Sequence, residues 1–305
     1  MSGGDIEVRP VRPEDKEAVV DFTSETWADR GGSDYIPHVF DDWIANDGDG
    51  QMTFVLDAGR DVAGICQGVL LSEDEAWAQG MRVNPDYRGR GVSLDLSHAV
   101  FDWAAGEGAT VCRNMVFSWN IAGLGQSRAT GFAPETEFRW AHPDPDPNAD
   151  PNLPVTNDPT AAWRFWTDSP AREHLAGLGL DMDESWALSE VTRDRLHRAA
   201  DEQRTFAVHD EGVRGMAYRT RMYERLNEDG DPTTWAEYGA AGWSDVEVAR
   251  SLFAAIAADA AACDAEKTRV LIPETVWHVS DVAYTRTDIS DEPDFVLAAD
   301  LTDRR

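Results

Sequence analysis

Along the first 140 residues the spacing of hydrophobic positions changes several times, and each change marks a new element. Ile6, Val8 and Pro10 alternate as in a strand, Pro13-Glu14-Asp15 opens a helix, and Ala18, Val19, Phe22 and Trp27 follow at helical spacing. Pro37 to Ala45 predicts a second helix with Phe40, Trp43 and Ile44 on one face, ended by Gly48-Asp49-Gly50. Met52 to Leu56 and Val62 to Leu71 read as a hairpin across the polar turn Asp57-Ala58-Gly59-Arg60, and Ala76 to Val83 as a further strand. A helix over Leu94 to Trp103, a β-rich run from Ala109 to Trp119 and a helix over Asn120 to Thr130 follow. With the chain beyond Gly131-Phe132, the order is β-α-α-β-β-β-α-β-α-β.

The pattern then breaks. Residues 142–158 are rich in proline and aspartate, as in Pro143-Asp144-Pro145-Asp146-Pro147, and can neither pack a core nor hold a helix. This stretch predicts a semi-extended linker between a first domain at 1–141 and a second at 159–305. In the second, Trp186 to Val191, Thr205 to His209, Val213 to Tyr223 and Thr234 to Gly242 read as strands, with a helix at Arg193 to Gln203. A long alanine-rich helix spans Asp245 to Cys263, followed by a strand at Arg269 to Ile272, a helix around Val276 to Tyr284 and a last strand at Phe295 to Ala298. The element order of the first domain repeats. The aromatic run Trp163-Arg164-Phe165-Trp166 is assigned to packing between the domains.

Charge narrows the class. Against 27 Lys and Arg stand 57 Asp and Glu, a formal net charge of −30, which argues against nucleic acid and anionic membrane as partners. Lys16 and Lys267 are the only lysines. An acidic, lysine-poor surface suits a halophilic protein, because the Debye length shrinks to roughly 3 Å at 1 M salt and screens the self-repulsion. No run approaches the roughly 20 apolar residues of a bilayer span, and no apolar leader opens the chain, so a cytoplasmic protein is expected. Cys66, Cys112 and Cys263 are far apart in apolar segments and read as buried thiols. The histidines have no partners at ligand spacing, so no metal is expected.

The most specific chemistry lies in Arg88-Gly89-Arg90-Gly91-Val92-Ser93, between a strand and a helix. A glycine turn there exposes backbone N–H groups at the positive end of a helix, a seat for a pyrophosphate, with Gly89 and Gly91 allowing close approach. The spacing Arg-x-x-Gly-x-(Gly/Ala), with Arg88, Gly91 and Ser93 at its marked positions, resembles the acetyl-coenzyme A loop of the GNAT N-acetyltransferase superfamily. Asn120, Gly131 and Phe132 also fall at the family's Asn…Gly-Phe spacing, with Ser127 where a tyrosine is usual. The resemblance implies an α/β (α+β) fold of tandem GNAT-like domains, each a mostly antiparallel sheet flanked by helices. The second is read as degenerate, since Trp243-Ser244-Asp245 replaces the glycine turn.

The same resemblance implies that the strand carrying Met81, Arg82 and Val83 splays from its neighbour to admit the cofactor's pantetheine arm, with the Met81 N–H as donor to the thioester oxygen. Many members carry a glutamate base two residues before Met81, where this chain has Gln79, and a thiolate-protonating tyrosine, here Ser127. Arg88, Gly89, Arg90, Gly91, Val92, Ser93 and Asn120 complete the expected cofactor residues. Asp29 to Pro37, with Gly31-Gly32-Ser33-Asp34-Tyr35-Ile36-Pro37, resembles the acceptor loop of histidine N-acetyltransferase and its relatives. Two readings stand for that loop: Asp34 holds an ammonium and Tyr35 contacts the acceptor, or Asp34 caps the helix and Tyr35 packs its start. Arg82 and Arg113 are candidate partners for an acceptor carboxylate. The leading expectation is an acetyl-coenzyme A-dependent N-acetyltransferase of a small amine, with an amino acid among the candidate acceptors. The alternative is a non-catalytic acyl-coenzyme A sensor or interaction protein, and a lysine-directed protein acetyltransferase is disfavoured because a second domain narrows the cleft.

Overall fold

The computed structural model describes residues 6–24, 26, 34–226 and 230–304. They divide into two compact units, one of residues up to Val116 with Asn120–Pro134 and Leu297–Arg305, the other of Phe117–Trp119 with Glu135–Val296. The stretch 142–158, expected to separate two domains, lies inside the second unit. Its backbone is tied down there: Asp146 donates its N–H to the Ala257 carbonyl at 3.0 Å, and Leu153 donates to Ser251 Oγ at 3.2 Å.

The first unit runs β1 (Glu7–Pro10), α1 (Lys16–Thr23), α2 (Ile36–Asn46), β2 (Gln51–Asp57), β3 (Val62–Leu70), β4 (Glu75–Val83), α3 (Ser93–Glu107), β5 (Val111–Phe117) and α4 (Ile121–Ala129). Strands pair in the order β1-β2-β3-β4-β5, antiparallel except for β4 and β5, which are parallel. The hairpin is centred as the sequence predicts, because the polar turn leaves two apolar runs to face each other. In α2 the buried residues Ile36, Phe40 and Trp43 recur at helical spacing and join Val19, Val55 and Ile65 in one core. β3 is buried on both faces: Ile65 meets that core, while Gly64 and Gly68 make room on the other side for Leu96 and Trp103 of α3. The C-terminal segment returns to this unit, with the Leu301 N–H on the Thr110 carbonyl at 2.8 Å and Arg304 paired to Asp102 at 2.5 Å.

The second unit holds β6 (Ala133–His142, from Glu135), β7 (Val155–Thr156), α5 (Pro159–Asp168), α6 (Pro170–His174), β8 (Leu178–Leu180), β9 (Leu188–Glu190), α7 (Arg193–Asp201), β10 (Thr205–His209) and β11 (Val213–Leu226). β12 (Pro232–Trp243), α8 (Val246–Ala262), β13 (Lys267–Pro273), α9 (Val276–Thr285), β14 (Asp288–Ile289) and β15 (Asp294–Asp300, to Val296) complete it. Its strands pair in the order β6-β13-β12-β11-β10-β7, all antiparallel except the parallel pair β12 and β13. Thus β2-β3-β4-α3-β5-α4 and β10-β11-β12-α8-β13-α9 repeat one plan of three antiparallel strands, a helix, a parallel strand and a helix. The aromatic run at 163–166 was expected between domains, but it lies on α5, where Trp166 is fully buried and the helix packs on β10, β11 and α7 of its own unit.

Candidate functional site

In the first unit β4 pairs with β5 only from Glu75↔Val111 to Trp77↔Arg113, after which the paired register ends. Arg113 and Glu75 close the root of this fork with an ion pair at 2.7 Å, and both residues are more than nine-tenths buried. This corrects one expectation: Arg113 is committed to Glu75 rather than held ready for an acceptor carboxylate. The pairing follows from register, since Arg113 stands opposite Trp77, and Glu75, two residues before Trp77, shares that side of the strand.

Beyond the fork β4 bulges. Ile65 pairs with Arg82 and Gln67 with Gln79, so Gly80 and Met81 together face the single residue Cys66. Gly80 sits at φ +65°, and a Cβ there would stand 2.4 Å from Trp43 Cη2 and 3.5 Å from Tyr35 Oη. Only glycine satisfies both the left-handed backbone and the close ring. The bulge therefore brings Gly80, the neighbour of Met81, against α2, where Tyr35, 43% exposed, meets Trp43 edge to face with centroids 6.0 Å apart.

Asp34 does not face an incoming ammonium. It is 1% exposed, its Oδ2 accepts from Arg82 Nε at 2.6 Å, and its Oδ1 accepts the Ile36 N–H at 3.1 Å. Asp34 thus opens α2 and anchors Arg82, which in turn is withdrawn from the role of carboxylate partner. The Arg82 guanidinium lies 5.8 Å from the centre of the Tyr35 ring. Asp29 to Ser33 of the predicted acceptor loop lie outside the described residues.

A feature that sequence reasoning missed runs inward from Gln79. Its Nε2 donates to Gln67 Oε1 at 2.7 Å, Gln67 Nε2 donates to Thr53 Oγ1 at 3.2 Å, and Thr53 Oγ1 donates to Asp47 Oδ1 at 3.0 Å. Gln67 and Thr53 are fully buried, and burial raises the Asp47 carboxyl above its usual range against the hydrogen bonds from Thr53. A carboxylate can only accept, so with Asp47 ionised every bond in the chain runs toward it and the Gln79 amide turns its Nε2 inward. Alternation along single strands gives no hint of it, because its four members come from β4, β3, β2 and the end of α2.

The glycine turn is built as its sequence predicts. Asn84 closes the end of β4, accepting from the Asp86 N–H at 3.1 Å and donating to the Val62 carbonyl at 3.2 Å. Gly89 and Gly91 then adopt φ +73° and +77°, with nothing within 4 Å of where a Cβ would stand. α3 begins at Ser93 without a side-chain cap, its first N–H groups following Arg88, Gly89, Arg90, Gly91 and Val92. Arg88 Nε donates to the Val83 carbonyl at 3.3 Å, and the Arg90 guanidinium stacks 5.2 Å from the Tyr87 ring centre.

At α4 the expected cofactor residue Asn120 is the helix cap, its Oδ1 accepting from the Gly123 N–H at 2.9 Å. Ser127 is 1% exposed and accepts from Asn114 Nδ2 at 2.9 Å, so it is a buried hydroxyl rather than a counterpart of an open tyrosine. Asn114, unnoticed in the sequence, stands one residue past the last rung of the fork, and its Oδ1 is buried with no hydrogen-bond partner among the described residues. Nearby thiols are inert, as burial pushes Cys66 up to about 12 and raises Cys112 as well.

Comparison with other proteins now bears on this geometry. Residues 16–124 match the sequence model of the acetyltransferase (GNAT) family. In structure the chain is similar to a GCN5-related N-acetyltransferase from Sphaerobacter thermophilus, with 11% identity and a TM-score of 0.63 over 97% of this chain and 96% of that one. It is also similar to a candidate acetyltransferase from Thermoplasma acidophilum, with 15% identity and a TM-score of 0.57 over 97% and 100% of the two chains. No curated protein matches it in sequence. These likenesses show that the chain has the GNAT acetyltransferase fold along its whole length. No helix among the described residues is long and apolar enough to cross a membrane.

Proposed function

We propose that the chain is an acetyl-coenzyme A-dependent N-acetyltransferase of a small amine, with the cofactor held by the first unit. The observation that carries this reading is the uncapped start of α3 behind an open glycine turn, next to a strand pair that parts after three rungs. The turn offers N–H donors and the helix dipole to a pyrophosphate, and Arg88 and Arg90 add positive charge in a chain of net charge −30. When bound, acetyl-coenzyme A supplies an acetyl thioester, an electrophile that needs no metal. The Met81 N–H, beside the bulge, is the donor for the carbonyl oxygen, a stabilisation that strengthens as charge develops there. Tyr35, backed by the buried Trp43 ring, presents aromatic surface to the acceptor's body.

Gln79 cannot take a proton as a glutamate would, but its Oε1, oriented by the chain to Asp47, accepts a hydrogen bond from an amine N–H and aims the nitrogen lone pair. The proton then passes to water. Ser127, which accepts from Asn114, retains its own O–H as a donor. The replacement of a carboxylate by Gln79 favours one second reading, a binding protein for acyl-coenzyme A without transfer.

Both readings are tested by thiol release from acetyl-coenzyme A mixed with an amine panel in molar potassium chloride. Release above the blank supports transfer. Binding in calorimetry without release with any amine supports the second reading. Gly91→Leu places a side chain in open space at φ +77°, a local strain of about 1–2 kcal/mol, and should abolish coenzyme A binding while the chain stays folded. Unchanged affinity in that variant would overturn the site.

A further inference from the structure

Beyond the fork, the segment that carries the thioester donor of the acetyl-transfer reading has little strand pairing to hold it. β5 stops pairing at Trp77↔Arg113, and on the other side Gly80 and Met81 share the single partner Cys66. A backbone N–H stabilises a developing charge best when it is aimed before the reaction, and here side chains supply what the ladder does not. They act on both neighbouring peptides. The Gln79 carbonyl, in the peptide before, accepts from Cys66 Sγ at 3.4 Å. The Met81 carbonyl, in the peptide after, accepts from Arg82 Nη1 at 3.1 Å.

Both clamps are themselves held. Cys66 is 1% exposed, and burial pushes its thiol up to about 12, so it stays a protonated, weak donor across the neutral range. Arg82 is the stronger of the two. Its Nε and Nη2 grip the Asp34 carboxylate at 2.6 Å and 3.3 Å, and the planar fork leaves Nη1 for Met81. Asp34 is fixed in turn by burial and by the Ile36 N–H at the start of α2.

The donor peptide joins Gly80 to Met81. With its neighbours held, it can turn only by counter-rotating ψ of Gly80 and φ of Met81. Glycine tolerates such a rotation, but the Met81 Cβ confines its own φ largely to negative values. The Met81 N–H is thereby kept in one direction.

We propose that Arg82, anchored by Asp34, and Cys66 are positioning residues that aim the Met81 N–H at the acetyl carbonyl oxygen. The inference rests on the acetyl-transfer reading and deepens it. Asp34 and Arg82, which in sequence resembled ligands of the acceptor, serve the acetyl donor instead.

The test reads the carbonyl itself. The full chain in molar potassium chloride is saturated with acetyl-coenzyme A isotopically labelled at the acetyl carbonyl, without amine, and the infrared C=O stretch is compared with that of free acetyl-coenzyme A. In the parent the stretch should fall in frequency, as that of a hydrogen-bonded carbonyl does. Asp34→Asn/Arg82→Met removes the stronger clamp without leaving a buried charge unpaired, and asparagine still offers an oxygen to the Ile36 N–H. The double variant should lose most of that shift and about ten- to a hundredfold in kcat with the best amine, with coenzyme A affinity within about twofold of the parent. A role confined to holding α2 would instead raise the amine KM and leave the carbonyl frequency alone. Cys66→Ala should lose a smaller part of the shift, and it decides if the double variant no longer unfolds cooperatively. No binding of acetyl-coenzyme A by the parent would remove the acetyl-transfer reading together with this one. Binding with an unshifted carbonyl, a shift equal in the parent and the double variant, or a shift unchanged in Cys66→Ala where that variant decides would overturn the clamp and leave the cofactor site standing.

Discussion

Replacing Gly80 with alanine tests the bulge that shapes the first unit's site. The substitution adds one methyl group at φ +65°, where a Cβ would lie 2.4 Å from Trp43 Cη2 and 3.0 Å from Trp43 Cζ3. The left-handed backbone costs about 1–2 kcal/mol for a residue with a Cβ. The collision adds about 1–3 kcal/mol of overpacking, because the Trp43 ring is held in the α1–α2 core and cannot simply swing away. The sum, about 2–5 kcal/mol, lowers the melting temperature by something on the order of 10 °C. A double-mutant cycle separates the two parts, because Trp43→Phe removes the atoms that would be struck. In that background Gly80→Ala should cost only the backbone part, leaving a coupling of about 1–3 kcal/mol. Denaturant unfolding of the four proteins in molar potassium chloride gives the cycle. Strict additivity, or a Gly80→Ala protein within about 0.5 kcal/mol of the parent, would refute the reasoning.

Three further outcomes are expected. Burial holds the Asp294 carboxyl at about 6 although Trp140 Nε1 donates to it at 3.0 Å. A carboxyl harder to ionise when folded leaves stability at its fullest below the ordinary range near 4 and removes it as the pH rises through about 6; Asp294→Asn should therefore gain on the order of 2–3 kcal/mol at pH 7 and nothing at pH 3.5, read by denaturant unfolding. Thr53→Val cuts the polar chain between Gln67 and Asp47, so kcat/KM for the best amine should fall several-fold with coenzyme A affinity unchanged, and equal kinetics would remove Gln79 from any positioning role. With a net charge of −30, thermal stability should rise from dilute buffer to molar potassium chloride as the Debye length falls to roughly 3 Å, and a flat profile would count against the halophilic reading.

Much of the fold was legible in the sequence because its signals are local. The short apolar run over Val62 to Leu70 bounded by polar turns, the helical spacing of Ile36, Phe40 and Trp43, and the glycines of the turn each act within a few residues and leave the same imprint wherever they occur. The glycine turn is the clearest case, since its φ values of +73° and +77° follow from residue type and its uncapped helix start from the absence of a capping side chain at Val92. β6 alternates over Glu135 to Trp140, with Thr136, Phe138 and Trp140 buried, but alternation does not say which strands it joins, and only its partners in the second unit define its place.

What tertiary structure decided was which charges and amides meet. Asp34 and Arg82 are 48 residues apart and Glu75 and Arg113 are 38 apart, and in sequence Asp34 and both arginines looked available to a ligand. In a chain with 57 acidic groups, any arginine has many conceivable partners, and pairing depends on distance in space. The same holds for Gln79, whose orientation is set by a carboxylate three hydrogen bonds away on another element. Residue type fixes what a group can donate or accept, but hydrogen bonds and ion pairs act over about 3 Å, and only the folded chain brings their partners within that reach.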